Sequence, residues 1–276
     1  MIIDAHHHFW QLSRGDYPWP NDSVATIFRD FGPGDLTPLL NEAGVTKTVL
    51  VQATDTVAET EFLLTLASHH SMIAGVVGWV DLSAPDACDV IDRLRGNPVL
   101  KGLRPMLQNI DDTGWILRPE VEPALRHMTA LDLAFDALIQ PRHLPVIAAL
   151  ADRHPNLRIV IDHLAKPQMG QGHLPDPDWH QGMADLAARP NVWCKLSGMV
   201  TEAGPDWQPA DLQPFAQHVL SIFAPGRIMF GSDWPVVNLA SDYARWIQFV
   251  RSAIAGCSDQ EQAQIMGGTA AAFYRL

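Results

Sequence analysis

The sequence contains few cysteines, and they form no recognisable pattern. Cys88, Cys194 and Cys257 are odd in number, lie far apart, and none belongs to a CxxC pair. A disulfide framework needs an even, closely spaced set of cysteines, and a zinc ribbon needs paired CxxC motifs. We therefore expect reduced, packed thiols, which excludes both of these kinds of cross-linked domain.

Basic residues are scarce relative to acidic ones. The chain has 19 Lys and Arg against 31 Asp and Glu, giving a formal net charge of -12. Nucleic-acid binding depends on clustered basic side chains that neutralise phosphates, so no nucleic-acid partner is expected. A polyanionic substrate is disfavoured as well. This balance is better suited to a neutral substrate that leaves as an anion.

Long hydrophobic runs are also lacking. Residues 1–10 already contain acids, histidines and a tryptophan, so no basic segment followed by an apolar one begins the sequence. No stretch is long enough to cross a bilayer. We therefore predict a cytoplasmic protein without a membrane partner.

The residues that are present favour a globular α/β fold. Hydrophobic residues make up 47% of the 276 positions and charged residues 18%, which allows a large core. Several short runs, such as Ile159–Ile161, are apolar throughout, as strands covered on both faces require. Eight such runs are predicted as strands: Met1–Ala5, Lys47–Ala53, Ile73–Val80, Val99–Arg104, Leu133–Ile139, Arg158–Asp162, Val192–Leu196 and Arg227–Gly231.

Segments of helical periodicity, such as Glu59–His69 and Leu144–Arg153, lie between these runs. Eight strands alternating with helices predict a single (β/α)8 TIM barrel that spans residues 1–276. An open doubly wound sheet is the alternative, although no glycine-rich phosphate loop follows the first strand. Three long insertions, Gln11–Pro33, Gln108–Glu120 and Lys166–Trp179, are predicted to wall a pocket.

Polar side chains follow several of the predicted strands, where a barrel builds its active site. His6 and His8 alternate after the first strand, so both are expected on one face as metal ligands or substrate contacts. Asp233, after the eighth strand, is a candidate general base or ligand. His163, after the sixth, is a candidate third imidazole. Each has a structural alternative: an exposed or packed histidine, or an aspartate that caps a turn.

Other residues are candidates for contacts with a substrate. Arg104, after the fourth strand, has a planar donor fork suited to a carbonyl, a carboxylate or vicinal hydroxyls, or alternatively to an ion pair at the rim. Gln140 follows the fifth strand. Trp10, Tyr17 and Trp19 concentrate aromatic rings in the first insertion, where they either pack on a sugar ring or hold the loop down. Secondary candidates are Arg142, Lys195 and Ser197.

These motifs together resemble the amidohydrolase superfamily, amidohydrolase family 2, in the branch of sugar lactonases that includes the L-fucono- and L-rhamnono-lactonases. The similarity runs almost from end to end, and the combination of HHHFW at residues 6–10 with GSDWP at residues 231–235 is specific. Further segments that carry it are Tyr17–Trp19, Gly75–Asp81, Lys101–Gln108, Ile161–His163 with Lys166–Pro167, Cys194–Gly198 and Gly267–Ala270.

The resemblance implies a hydrolase that opens an aldonolactone such as L-fuconolactone. Asp233 would act as general base toward water, with His6, His8 and His163 around it and Arg104 near the lactone carbonyl. The same four His and Asp residues would hold one divalent ion, Zn2+, which a lactonase need not require because a lactone is an activated ester.

The fifth strand offers Gln140 in place of the histidine or carboxylated lysine of a binuclear centre, so a binuclear metal site is not expected. The substrate contacts implied are Trp10, Tyr17, Trp19, Arg104, Gln140 and Lys166.

Other functions stay open at this point. Related barrels decarboxylate aromatic acids with a tightly held metal, and others are amidases or similar metallohydrolases. A non-catalytic barrel that binds a sugar acid is a further alternative. The presence of a base, imidazoles and an arginine at the strand ends argues against that last possibility.

Overall fold

Eight parallel strands pair in chain order in the computed structural model, which describes residues 1–276. The predicted alternation of strands and helices is confirmed, with observed strands slightly shorter than most of the predicted runs. The strands are β1 (Ile2–His7), β2 (Val45–Val51), β3 (Ile73–Gly78), β4 (Leu100–Leu103), β5 (Ala134–Ala137), β6 (Ile159–Ile161), β7 (Val192–Leu196) and β8 (Ile228–Phe230).

The barrel closes between β1 and the segment that follows β8, and we call this junction the seam. The Asp233 N–H donates to the His6 carbonyl at 2.7 Å, and the His8 N–H donates to the Trp234 carbonyl at 2.7 Å. These bonds continue the parallel pairing around the circle. The fold is therefore a (β/α)8 barrel, and the open-sheet alternative is wrong.

Helices between the strands form the outer layer. The predicted helix over 144–153 has these bounds in the structure, and the one over 59–69 begins two residues earlier. The Thr56 hydroxyl caps that helix by accepting the Glu59 N–H at 3.0 Å. None of the helices has the length and apolar composition needed to span a bilayer. The helices are α1 (Pro33–Ala43), α2 (Val57–His69), α3 (Ala87–Arg95), α4 (Glu122–Ala130), α5 (Leu144–Arg153), α6 (Pro177–Ala187), α7 (Met199–Ala203), α8 (Pro209–Ile222), α9 (Tyr243–Ala253), α10 (Asp259–Ala263) and α11 (Thr269–Tyr274).

The core has two parts. The larger apolar cluster includes the buried helix faces, and a smaller one joins strand residues such as Val49 and Met229 to Phe273 of α11. Charged side chains are buried beside the smaller cluster, because Asp136 and Lys195 have no exposed surface. Tyr274 joins the smaller apolar cluster to these polar side chains, since its hydroxyl donates to Asp136 Oδ2 at 2.6 Å. The fold thus places ionisable groups inside the barrel, where each one needs a partner.

Candidate active site at the barrel mouth

Three imidazoles surround one carboxylate at the carboxyl ends of the strands. The Oδ1 atom of Asp233 lies 3.3 Å from His8 Nε2, 3.6 Å from His6 Nε2 and 3.8 Å from His163 Nε2. All four side chains are almost fully buried. His7 points elsewhere, with its ring centroid 4.7 Å from that of Phe9. The structure therefore brings together the four residues that the sequence singled out.

The local backbone that carries these groups is unusual. Asp233 has a φ of 57°, and the four residues from His163 to Lys166 all have positive φ. The left-handed region costs a residue with a side chain roughly 1–2 kcal/mol. Such conformations persist where the surrounding structure enforces them, and they concentrate at functional sites.

Gly198 makes room for the His163 ring. A Cβ atom added at this position would overlap His163 Nδ1, and the φ of Gly198 is +65°. The preceding residue, Ser197, places its hydroxyl 2.9 Å from the same Nδ1. Gly231, directly after β8, makes room for His6 in the same way, since a Cβ atom there would lie 2.7 Å from the Cβ of His6. Two glycines thus allow the imidazoles to approach the strand ends.

Neighbouring groups determine the charge of the site. Burial raises the pKa of Asp233, but attraction from the surrounding histidines, His163 foremost, outweighs it and holds that pKa well below its usual value. Burial lowers the pKa of His163 to about 4. Burial and the nearby Lys195 lower the pKa of His6 well below its usual value. At neutral pH the site is therefore a carboxylate with at least two neutral imidazoles.

The donor set fits one divalent metal ion. His6 Nε2, His8 Nε2 and Asp233 Oδ1 are separated by 3.2, 3.3 and 3.6 Å. Ligands about 2.0–2.2 Å from a tetrahedral Zn2+ lie roughly 3.3–3.6 Å from one another. A second possible group, His6 with Asp162 and His163, shares His6 with the first.

Beneath the imidazoles, charged side chains form a buried chain. Lys195 Nζ lies 2.5 Å from Asp136 Oδ2, 3.0 Å from Asp162 Oδ1 and 3.1 Å from His6 Nδ1. Asp136 and Asp162 are parts of the site that were not predicted from the sequence. An acid inside the apolar run Leu133–Ile139 was the available signal, because a buried carboxylate needs a specific partner.

Arg104 is held rigidly at the inner wall of the cavity. Its Nη2 donates to the Gln52 carbonyl and lies 3.2 Å from Gln52 Oε1, while Gln52 Nε2 donates to the Arg104 carbonyl at 2.8 Å. Its Nη1 lies 3.3 Å from Asp162 Oδ2. The Nε–H is buried and has no partner. Arg104 therefore combines a fixed orientation with one unused donor.

A cavity of about 270 Å³ opens above this group. Each of the three predicted wall insertions contributes to it, through Trp19, Gln108 and Lys166 respectively. Its lining comprises His8, Pro18, Trp19, Ala53, Thr54, Asp55, Arg104, Met106, Gln108, Asn109, Leu138, His163, Lys166, Asp233 and Val236. Asp55, whose side chain is exposed and has no hydrogen bond to the protein, also lines the cavity and was not predicted from the sequence.

Three of the candidate substrate contacts lie away from the cavity lining. Trp10 is buried behind Trp19, with ring centroids 5.2 Å apart, and its indole N–H donates to the Arg29 carbonyl at 2.8 Å. Tyr17 is half-buried in the same loop. Gln140 is exposed after β5. Of the predicted aromatic residues, Trp19 is the one that lines the cavity.

A buried glutamate anchors the segment from Trp10 to Trp19, which we call the aromatic loop. The Trp19 indole N–H donates to the Ala53 carbonyl at 2.8 Å. The carboxylate of Glu59 accepts the N–H groups of Ala53 at 3.0 Å and Thr54 at 2.8 Å. Burial raises the pKa of Glu59 to about 7. Glu59 thus fixes the backbone on which Trp19 rests.

Known proteins resemble this chain along its whole length. The sequence profile of the amidohydrolase family matches residues 3–276. An L-fucono-1,5-lactonase of Burkholderia ambifaria is 47% identical, with 99% of this chain and 95% of the relative aligned. An L-fucono-1,5-lactonase of Burkholderia multivorans is 37% identical, with 100% and 96% aligned. A crystal structure of a Burkholderia multivorans amidohydrolase with bound zinc superposes with a TM-score of 0.93 at 36% identity, covering 100% of this chain and 99% of that one.

Proposed function

The chain belongs to the amidohydrolase family, and from that premise we propose that it hydrolyses the ring ester of a neutral sugar lactone to the aldonate. Two relatives of nearly the same length are named L-fucono-1,5-lactonase, so L-fuconolactone is the first substrate to test. The observation that carries the proposal is an ionised Asp233 among buried imidazoles beneath an open cavity. A single domain spanning residues 1–276 would perform the reaction.

Asp233 is the general base in this mechanism. Its carboxylate accepts a proton from water as the water oxygen bonds to the lactone carbonyl carbon. When the ring C–O bond breaks, the same proton passes from Asp233 to the departing ring oxygen. The product is a hydroxy acid that ionises to the aldonate. A carboxylate with a low pKa is a weak base, and an activated ester needs no stronger one.

The neighbouring groups hold the water and the carbonyl oxygen. The Nδ1 of His8 lies 2.8 Å from the Val51 carbonyl, so this nitrogen carries the proton and Nε2 faces Asp233 as an acceptor. Arg104 supplies a rigid cationic donor for the negative charge that develops on the carbonyl oxygen. Lys166 and Trp19 line the outer wall, where hydroxyl groups and an apolar sugar face would lie.

A divalent ion, which we propose to be zinc, would be held by His6, His8 and Asp233, with His163 as a further ligand. When bound, such an ion polarises a carbonyl oxygen as a Lewis acid. The zinc-containing relative supports this identity. We further propose that the reaction belongs to carbohydrate metabolism and takes place in the cytoplasm, in keeping with three free thiols.

Acid release tests the proposal. A pH-indicator assay with purified protein would use L-fucono-, D-arabinono- and L-rhamnono-lactones, each with and without a chelator. Rapid release above the spontaneous rate from at least one lactone is expected. Absence of release from all of them would overturn the proposal. Release of CO2 from an aromatic acid would then indicate a decarboxylase, and saturable binding without turnover would indicate a sugar-acid-binding barrel.

A further inference from the structure

His6 has competing neighbours on both ring nitrogens. Its Nδ1 lies 3.1 Å from Lys195 Nζ and 3.4 Å from Asp162 Oδ1. Its Nε2 lies 3.2 Å from His8 Nε2. A neutral imidazole carries one N–H, so one nitrogen donates and the other accepts. The neighbours of Nδ1 therefore determine whether Nε2 donates a hydrogen bond or offers a lone pair.

One arrangement is complete without a metal. The Lys195 ammonium, which can only donate, donates a hydrogen bond to Nδ1 of His6 and keeps its own proton. The proton of His6 then resides on Nε2, which donates to Nε2 of His8. The opposite nitrogen of His8 donates to the Val51 carbonyl, which can only accept. Donors and acceptors match from the ammonium to the carbonyl, and His6 Nε2 has no free lone pair for a metal.

The second arrangement brings two nitrogen lone pairs together and therefore favours a bound cation. If Nδ1 of His6 instead donates to Asp162, the lone pairs of His6 Nε2 and His8 Nε2 face each other at 3.2 Å. A metal ion between them would remove this repulsion. Arg104 Nη1, 3.4 Å from His6 Nε2, is a protein donor that also favours this arrangement. A carboxylate behind a ligating histidine is the usual way in which a metal-binding tautomer is fixed.

We propose that Lys195 and Asp162 select the tautomer of His6 and thereby determine whether the site accepts a divalent ion. Lys195, the closer of the two to Nδ1, favours the metal-free arrangement, and Asp162 favours the metal-bound one. Lys195 is thus a positioning residue that lowers the affinity for zinc, so that Asp233 acts as the base without a bound ion. The inference rests on the proposed function only in treating His6 as a possible ligand.

Substitutions of Lys195 or Asp162, the two groups that compete for His6 Nδ1, test the effect on zinc affinity. Lys195→Met leaves Asp136 and Asp162 buried without their shared cation, so it is combined with Asp136→Asn to remove one charge of each sign. We expect the double variant to bind Zn2+ at least about tenfold more tightly than the matched single variant Asp136→Asn, in competition with a chromophoric chelator. Asp162→Asn is expected to bind Zn2+ more weakly than wild type. Equal affinities of the double and single variants would overturn the proposal.

The wild-type protein provides a measurement that needs no variant to fold. Nitrogen chemical shifts of 15N-labelled histidine distinguish a protonated from an unprotonated Nδ1. The His6 signals, identified by their loss in His6→Asn, should show an unprotonated Nδ1 after chelation and a protonated Nδ1 with Zn2+ added. A protonated Nδ1 in the chelated protein would refute the selection by Lys195, whatever the acid-release assay shows. A simple charge effect of Lys195 would change affinity without this exchange of tautomers.

Discussion

His8 Nε2 and Asp233 Oδ1 face each other at 3.3 Å across the seam, although they come from opposite ends of the chain. Asp4 fixes the two backbone segments that carry them. Its carboxylate accepts the N–H groups of Ser232 at 2.8 Å and His6 at 3.2 Å. The site therefore depends on the first and last strands being joined in one register.

Asp233→Asn should reduce kcat by about a hundredfold or more, because an amide cannot accept the proton from water and a positioned base contributes roughly 10²–10⁴-fold. Initial rates of acid release at saturating lactone would measure this. Asp89→Asn, at an exposed carboxylate of α3 without hydrogen bonds, is the matched control and should keep full activity. Retention of more than about 3% of the wild-type rate would exclude Asp233 as the base.

Gly198→Ala should displace the His163 ring and lower kcat by roughly tenfold or more, since the added Cβ overlaps Nδ1. It should also lower the free energy of unfolding by about 1–2 kcal/mol through its φ of +65°. Gly44→Ala is the matched control, because Gly44 has a φ of +72° and nothing within 4 Å of an added Cβ. If both variants lost stability but neither lost activity, the packing of His163 against Gly198 would be irrelevant to catalysis.

Glu59→Ala should raise KM severalfold while kcat stays within a few-fold of wild type. The substitution removes the acceptor for the Ala53 and Thr54 N–H groups, and each buried donor left without a partner costs about 1–3 kcal/mol. The loop bearing Trp19 would then be less well ordered. Saturation kinetics would separate the two constants, with Glu61→Ala as the control at an exposed position of the same helix. A fall in kcat at constant KM would contradict this anchoring role.

The stability contributed by Glu59 should decrease as the pH rises. Burial raises its pKa from 4.5 to about 7 in the folded protein, so the native state retains a proton that the unfolded chain has lost. The contribution is fully present below pH 4.5, falls by about 3 kcal/mol as the pH rises through 7, and is constant above about pH 8.

Urea unfolding of wild type and Glu59→Gln at pH 5, 6, 7 and 8 would test this. The difference between the two proteins isolates Glu59, because buried histidines with lowered pKa values change stability in the opposite direction over part of this range. Wild type should lose its advantage over the variant as the pH increases. A difference that is independent of pH would show that Glu59 is ionised in both states.

Removal of divalent ions should lower kcat/KM for the lactone by less than about tenfold. The reason is that the ester is activated and the hydrogen bonds from Lys195 to Val51 are complete without an ion. Assays after dialysis against a chelator, with residual zinc quantified by elemental analysis, would measure this. Abolition of activity that zinc alone restores would make the ion essential.

The fold was predictable because strands buried on both faces leave runs of apolar residues, as in Ile159–Ile161. His6, His8, His163 and Asp233 could be grouped because the carboxyl ends of barrel strands converge. The pairing of Asp136 with Lys195 could not be predicted in this way, since it depends on the relative register of β5 and β7.

The two tryptophans of the aromatic loop could not be distinguished from the sequence. Trp10 and Trp19 have the same chemistry, and no periodicity in an irregular segment indicates which ring faces a cavity. The structure decides it through single hydrogen bonds, from Trp10 to the Arg29 carbonyl and from Trp19 to the Ala53 carbonyl.

The seam has a consequence for how the protein responds to what it binds. Between β1 and the segment after β8 the barrel is joined by a few main-chain bonds, so opening of the barrel at this junction would separate His8 from Asp233. A competitive inhibitor that bridges these two side chains would hold the two sides of the seam together. It should slow amide hydrogen exchange at His8 and Asp233 and raise the melting temperature, by mass action on the closed state.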